Sequence, residues 1–271
     1  MEDSRILAGC TLASQVSQAA ESVSTLISFF ELLVGRMPTG RVEHTGGLAT
    51  MFGNTPYAFL NTSVIDHAAP DEAAFRAALE TGLERKPCCP FPSSIAFCEE
   101  WAPDDWERVA AEYGLIPYIA MTWMTADELL PPRRPAAALD LLPVNDVPTA
   151  TDLALINDAG YGLGPHDSES IRNLNFWKPD TVAYVGCLRG TAVTCAAAFP
   201  IEGSVYIAFV ATRPQFSGRG YAETVMRHTI DEGRRLTGDV RVTLHASTEG
   251  QRLYTAMGFA SGPRIRMLTP P

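Results

Sequence analysis

The chain is interrupted near its middle by a segment in which no regular element can continue. Residues 130–135 read Leu-Pro-Pro-Arg-Arg-Pro, and proline neither donates a backbone hydrogen bond nor continues a helix. We therefore predict two domains, residues 1–130 and 139–271, joined by a proline-rich linker at 131–138. A length of 271 residues suits two domains of this size or one large domain.

Apolar spacing predicts nearly the same order of elements on both sides of this linker. In the first half we expect one helix or two in series over 12–33, strands at 42–52 and 57–65 around a turn at 53–56, a helix from Asp71, a strand at 94–98, a helix from Asp104 or Asp105, and a strand at 116–124. In the second half we expect a strand at 139–142, helices at 151–159 and from Asp167 or Ser168 to 174, strands at 181–188, 191–199 and 205–211, a helix at 220–236, a strand at 240–246, a helix at 250–257 and a strand at 264–268. The repeated order predicts a duplicated unit of mixed α/β type.

Charge and apolar content narrow the functional classes. A net charge of −10 argues against a nucleic-acid partner, because neutralising phosphates requires a basic face. The longest apolar run, 26–34, is short and contains Glu31, so no membrane span is expected. The N-terminus lacks a secretory pattern and the six cysteines show no metal-ligand spacing, so we expect reduced thiols, no metal site and a soluble cytoplasmic protein.

The two halves differ in charge. Residues 1–140 hold 9 Lys and Arg against 19 Asp and Glu, whereas residues 141–271 hold 12 of each class and a single lysine, Lys178. Guanidinium groups suit bidentate phosphate contacts, so this composition favours an anionic ligand in the second half. The acidic first half could attract a cationic amine, although solubility explains such charge equally well.

A glycine-containing turn links the strand ending at Ala211 to the helix that begins near Gly220. Such a turn presents unpaired amides and the positive end of a helix dipole, which together bind anions. Gly218 and Gly220 let the backbone approach phosphate oxygens, while Ser217 and Arg219 add donors. Neither a Rossmann fingerprint nor a P-loop fits these residues. The alternative is a simple helix-start turn.

Two runs together resemble the GNAT superfamily of N-acetyltransferases. Gln215-x-x-Gly218-x-Gly220 looks like its acyl-CoA pyrophosphate signature, and the run from Leu244 through Ser247 to Leu253-Tyr254-x-x-x-Gly258-Phe259 is similar to its second signature. The resemblance covers about 139–271. The first half resembles a degenerate repeat without a cofactor loop, so the resemblance implies a tandem GNAT-like fold.

The resemblance also implies a reaction and a cofactor, namely acetyl transfer from acetyl-CoA to a small-molecule amine by direct attack. It implies a pyrophosphate site and a pantetheine site on the following residues: the amides of Phe216, Ser217, Gly218, Arg219, Gly220 and Tyr221, the neighbouring Gln215, the strand Phe209, Val210 and Ala211, and Ser247. The parallel strands 205–211 and 240–246 would splay apart beside the pantetheine arm, and an amide near Phe209 or Val210 could stabilise the thioester oxygen.

The residues that donate and accept protons are identified less completely than the cofactor site. Tyr254 matches the family tyrosine that protonates the departing thiolate, with a core aromatic as the alternative. Candidate bases are His245, His166 and Asp167. His245 could instead be a hydrogen-bonded core histidine, Asp167 a helix cap, and a water chain could replace them all. A non-catalytic acyl-CoA-binding protein is the competing function, and the acceptor, acyl length and oligomeric state are not readable from the sequence.

Overall fold

A computed structural model describes residues 2–85, 89–164, 167–238 and 240–270, with side chains described from residue 18 onward. His166, one of the candidate bases, lies outside the described residues. Among the described helices, none combines the length and apolar character that a bilayer crossing requires.

Helices and strands follow the predicted order closely. The first half contains α1 (Glu2–Val34), β1 (Arg41–Thr45), β2 (Leu48–Phe52), β3 (Asn61–Ile65), α2 (Glu72–Arg85), β4 (Ser94–Cys98), α3 (Trp106–Glu112) and β5 (Ile116–Ala126). The second half contains β6 (Asp140–Pro143), α4 (Val147–Tyr161), β7 (Val182–Leu188), β8 (Thr191–Ile201), β9 (Ser204–Thr212), α5 (Tyr221–Thr237), β10 (Val242–Ser247), α6 (Gln251–Met257) and β11 (Ala260–Thr269). The predicted mixed α/β class is confirmed.

Two local predictions were wrong. The apolar stretch 42–52 is a hairpin, because Gly46 and Gly47 adopt φ of 63° and 76° and reverse the chain between β1 and β2. The helix expected from Asp167 or Ser168 to 174 is replaced by two short 3₁₀ turns, Glu169–Arg172 and Leu174–Phe176. Helix α4 also begins earlier than expected, since Asp146 accepts a hydrogen bond from the Thr149 amide at 2.8 Å and caps it.

All eleven described strands form one sheet in the order β1-β2-β3-β4-β11-β5-β10-β9-β8-β7-β6. Each half contributes one parallel pair, β3 with β4 and β9 with β10. The last strand of each half lies among the strands of the other: β5 pairs with β10, β11 pairs with β4, and the two pair with each other. These pairings join strands from both sides of the linker 131–138. The division of the chain into two domains at that linker therefore stays a prediction.

The helices cover both faces of the sheet. On one face, Phe29 and Leu33 of α1 share a buried cluster with Leu153 of α4. On the other, Val225 of α5 and Met257 of α6 pack with inward residues of β8, β9 and β10. Alternate residues of a strand face opposite sides of the sheet, and helices cover both sides, so the central strands are buried on both faces. These strands join the two halves in one continuous sheet.

Candidate active site

Strands β9 and β10 separate part of the way along their length. Their parallel pairing ends at Ile207 and Leu244, after three residue pairs, although both strands continue. Beyond that point β9 remains paired only with β8. A wedge therefore opens in the sheet at the place where the resemblance predicts the splayed strands.

The wedge contains a β-bulge on β9. Cys195 lies opposite Ala211 and Ala197 opposite Ala208, so that Phe209 and Val210 together face one residue of β8. Phe209 has a φ of 53°, in the left-handed region that a bulky residue seldom adopts. A bulge re-aims backbone groups, and strain of this kind concentrates at functional sites.

The glycine turn after β9 leaves room for a ligand. Gly218 and Gly220 have φ of 75° and 81°, and no described atom lies within 4 Å of the position that a Cβ would take on either residue. In α5 the first intrahelical acceptor is the Gly220 carbonyl, which the Thr224 amide reaches at 3.1 Å. The amides of the preceding helical residues, 221–223, have no intrahelical acceptor, so the turn fits a phosphate group.

One cavity of about 1320 Å³ connects this turn, the wedge and α6. The predicted site residues that line it are Phe209, Val210, Ala211, Phe216, Ser217, Gly218, Gly220, Tyr221, His245, Ser247 and Tyr254. Gln215 and Arg219 are not part of this lining. The Arg219 guanidinium lies 5.6 Å from the centre of the Phe216 ring and donates to the Gln215 carbonyl at 3.3 Å, so it braces the turn from outside.

Tyr254 lies on α6 with 8% of its surface exposed, and that surface faces the cavity. A Cβ on Gly250 would lie 2.8 Å from the Tyr254 ring, so glycine at that position makes room for it. Within the described part of the chain its hydroxyl has no hydrogen-bond partner. Burial raises the pKa of the Tyr254 phenol above its ordinary value, which keeps the proton on the oxygen at neutral pH.

His245 also lines the cavity, but both of its ring nitrogens are already engaged. Nε2 lies 3.0 Å from the Ser22 hydroxyl of α1, and Nδ1 lies 2.9 Å from the Tyr206 hydroxyl. Burial lowers the pKa of His245 to about 3, so the imidazole is neutral at pH 7. These contacts favour the interpretation of His245 as a hydrogen-bonded core histidine. Its role as the general base stays a prediction.

Asp167 is occupied by a local contact. Its Oδ2 accepts a hydrogen bond from the Gly164 amide at 2.8 Å, and it lies outside the cavity lining. The helix it was expected to cap does not form. Its carboxylate therefore stabilises the loop after α4, which leaves no assigned base among the described candidates.

Aromatic side chains of both halves line the cavity together, which sequence reasoning missed. The lining includes Phe29, Tyr57, Phe59 and Tyr118 of the first half, and Tyr161 and Tyr206 of the second. The Phe29 ring bridges the halves at 4.5 Å from the Tyr206 ring, and the Tyr161 hydroxyl donates to the Val210 carbonyl at 2.9 Å. No local motif marks these residues, since they meet only through the packing of α1 and β5.

The lining also contains charged residues. They are Arg133 and Arg134 of the linker, Glu223 at the start of α5, and Glu249 and Arg252 beside and on α6. The cavity therefore combines aromatic side chains from both halves with charged groups and the glycine turn.

Comparison with known proteins finds a family-model match in the second half and a shared fold over the whole chain. Residues 153–259 match the acetyltransferase (GNAT) family model. A GCN5-related N-acetyltransferase from Kribbella flavida is 20% identical with a TM-score of 0.69, covering 93% of this chain and 95% of that one. A GCN5-related N-acetyltransferase from Sphaerobacter thermophilus is 16% identical with a TM-score of 0.54, covering 94% and 92%. No curated protein sequence matches the chain. At these identities the two structures show a shared fold, which extends over both halves.

Proposed function

Because residues 153–259 match the acetyltransferase (GNAT) family model, we propose that this chain transfers an acetyl group from acetyl-CoA to the amine of a small molecule by direct attack. The observation that carries the proposal is the single cavity that joins the glycine turn, the wedge between β9 and β10, and the Tyr254 hydroxyl. These are a phosphate site, a channel for an extended arm, and a proton donor.

The residues present fit acetyl-CoA. Open space beside Gly218 and Gly220, together with the free amides of the first turn of α5, suits the diphosphate. The edge of β9 that has no β10 partner can hydrogen-bond an amide-containing arm as a further strand would. When bound, acetyl-CoA supplies an activated acetyl thioester.

Tyr254 and the bulge then supply the chemistry. A backbone amide of Phe209 or Val210 donates to the thioester oxygen as negative charge develops there. The bond from the amine nitrogen to the acetyl carbon forms, and the carbon–sulfur bond breaks. Tyr254 donates its hydroxyl proton to the departing sulfur. Solvent water takes the proton that the amine loses and returns a proton to the Tyr254 oxygen, which restores the phenol.

The acceptor binds beside the aromatic side chains of the lining, which come from both halves. Partly exposed rings such as Tyr57, Phe59 and Tyr118 bury the scaffold of a small amine and exclude bulk water from the thioester. The first half therefore acts as a wall of the acceptor site.

The proposal is tested by amine-dependent release of CoA from acetyl-CoA over a panel of primary amines. We expect Tyr254→Phe to lower kcat by about 100-fold or more, with KM for acetyl-CoA little changed, because the lost hydroxyl acts on the leaving group. Tyr184→Phe, outside the cavity lining, is the matched control and should retain full activity. Tight CoA binding without turnover on any amine would instead indicate a non-catalytic acyl-CoA-binding protein.

A further inference from the structure

The linker between the halves is fixed at two points beside the cavity. The Leu130 amide donates to the carbonyl of Met257, the last residue of α6, at 2.8 Å. The Ala137 amide donates to the hydroxyl of Thr224, in the first turn of α5, at 3.0 Å. The intervening residues therefore run from one helix flanking the wedge to the other.

Two arginines lie in this fixed segment. Arg133 and Arg134 form a bend, are exposed, and line the same cavity as the glycine turn. No carboxylate of the described residues lies within salt-bridge distance of either guanidinium. By contrast, Arg227 of α5 pairs with Glu223 at 2.9 Å, which neutralises one carboxylate of the same lining.

The two guanidinium groups are adjacent in the sequence and belong to the lining of the same cavity, in a chain whose net charge is −10. Such a pair attracts a dianion and matches the geometry of phosphate oxygens. Coenzyme A carries three phosphate groups, two in the diphosphate of its chain and one as the 3′-phosphate of its ribose. The amides of α5 suit the diphosphate, which leaves the 3′-phosphate without a partner on α5.

We propose that Arg133 and Arg134 bind the 3′-phosphate of the CoA nucleotide, so that the linker is part of the cofactor site. The inference rests on the proposed function, because it takes acyl-CoA as the ligand of the cavity. It gives the linker a second role besides connecting the halves: cofactor binding holds the linker against α5 and α6, and it selects the phosphorylated nucleotide over its dephosphorylated form.

The test compares the affinities of the whole protein for CoA and for 3′-dephospho-CoA by calorimetry at fixed ionic strength. The wild type should bind CoA about 5- to 30-fold more tightly than dephospho-CoA, as expected for two exposed ion pairs. Arg133→Gln/Arg134→Gln should abolish that ratio by weakening CoA alone. Arg41→Gln/Arg189→Gln removes the same charge from exposed arginines outside the cavity lining and should leave the ratio unchanged.

The outcomes separate this inference from the function on which it rests. If the wild type binds both nucleotides equally, or if the linker variant weakens both equally, the 3′-phosphate assignment is overturned while acyl-CoA binding stands. If the control variant lowers the ratio as much as the linker variant, the effect is long-range charge and the assignment is again overturned. If the wild type binds neither nucleotide, the proposed function fails, and the inference fails with it.

Discussion

Replacing His245 by glutamine separates its two possible roles. Glutamine can bond to the hydroxyls of Ser22 and Tyr206 but does not titrate. The folded pKa of His245 is lowered to about 3, against an ordinary value of 6.5. The unfolded chain therefore binds a proton below about pH 6.5 that the folded chain refuses until about pH 3, and the wild type loses stability as the pH falls through this window.

The size of the effect follows from the same two values. Between pH 7.5 and pH 5 the titration of one such histidine removes about 2 kcal/mol from the free energy of unfolding. His245→Gln should lack this component, so the difference in unfolding free energy between wild type and variant should shift by about 2 kcal/mol over that range. Urea unfolding at each pH measures it, and the subtraction removes the contribution of other groups.

Activity completes the test. If His245 is a core histidine, the variant should keep its kcat at pH 7.5 within about fivefold, because no proton passes through the ring. A variant whose unfolding free energy follows the wild type at every pH, but whose kcat has fallen 100-fold or more, would refute the structural role and restore the general base.

Two further substitutions test the proposed diphosphate site and the proposed acceptor site, each with a matched control. Gly218→Ala places a methyl group in the space assigned to the diphosphate and should weaken CoA binding about tenfold or more. The control is Gly190→Ala, because Gly190 has a similar φ of 78° and equally open surroundings. Both variants should lose about 1 to 2 kcal/mol of stability, but Gly190→Ala should leave the CoA affinity unchanged. Equal CoA affinity in both variants would argue against the phosphate site. Tyr118→Ala should raise KM for the acceptor about 5- to 20-fold and leave KM for acetyl-CoA unchanged, because the ring belongs to the proposed acceptor site. Ile116→Ala on the same strand, outside the lining, should change neither constant. A rise in KM for acetyl-CoA instead would place Tyr118 at the cofactor.

Much of the fold could be predicted from local sequence. Residues 94–98 and the strand–turn–helix around Gly220 were predicted closely, because period-two apolar patterns and turn glycines act over a few neighbouring residues. The hairpin at Gly46 was missed because its flanking apolar residues read as one strand. The loop after α4 was misread as a helix because Asp167 bonds its own loop instead of capping one.

The residues of the candidate site also fall into a group that local sequence reveals and a group that it does not. The glycine turn and Tyr254 belong to continuous motifs and could be located from residue spacing. Arg133 and Tyr118 could not, since the first lies in a segment that composition identifies only as a linker, and the second reaches the cavity only because β5 pairs with β10.

By itself the sequence determined the order of elements, the anion-binding turn and the candidate proton donor, because each depends on residues close together in the chain. Only the tertiary structure decided that β5 and β11 lie in each other's half, that α1 supplies the partner of His245, and that the linker lies beside the cavity. Contacts of this kind join residues between 87 and 223 positions apart. Their free energy comes from burying the whole sheet at once, so no local pattern encodes them.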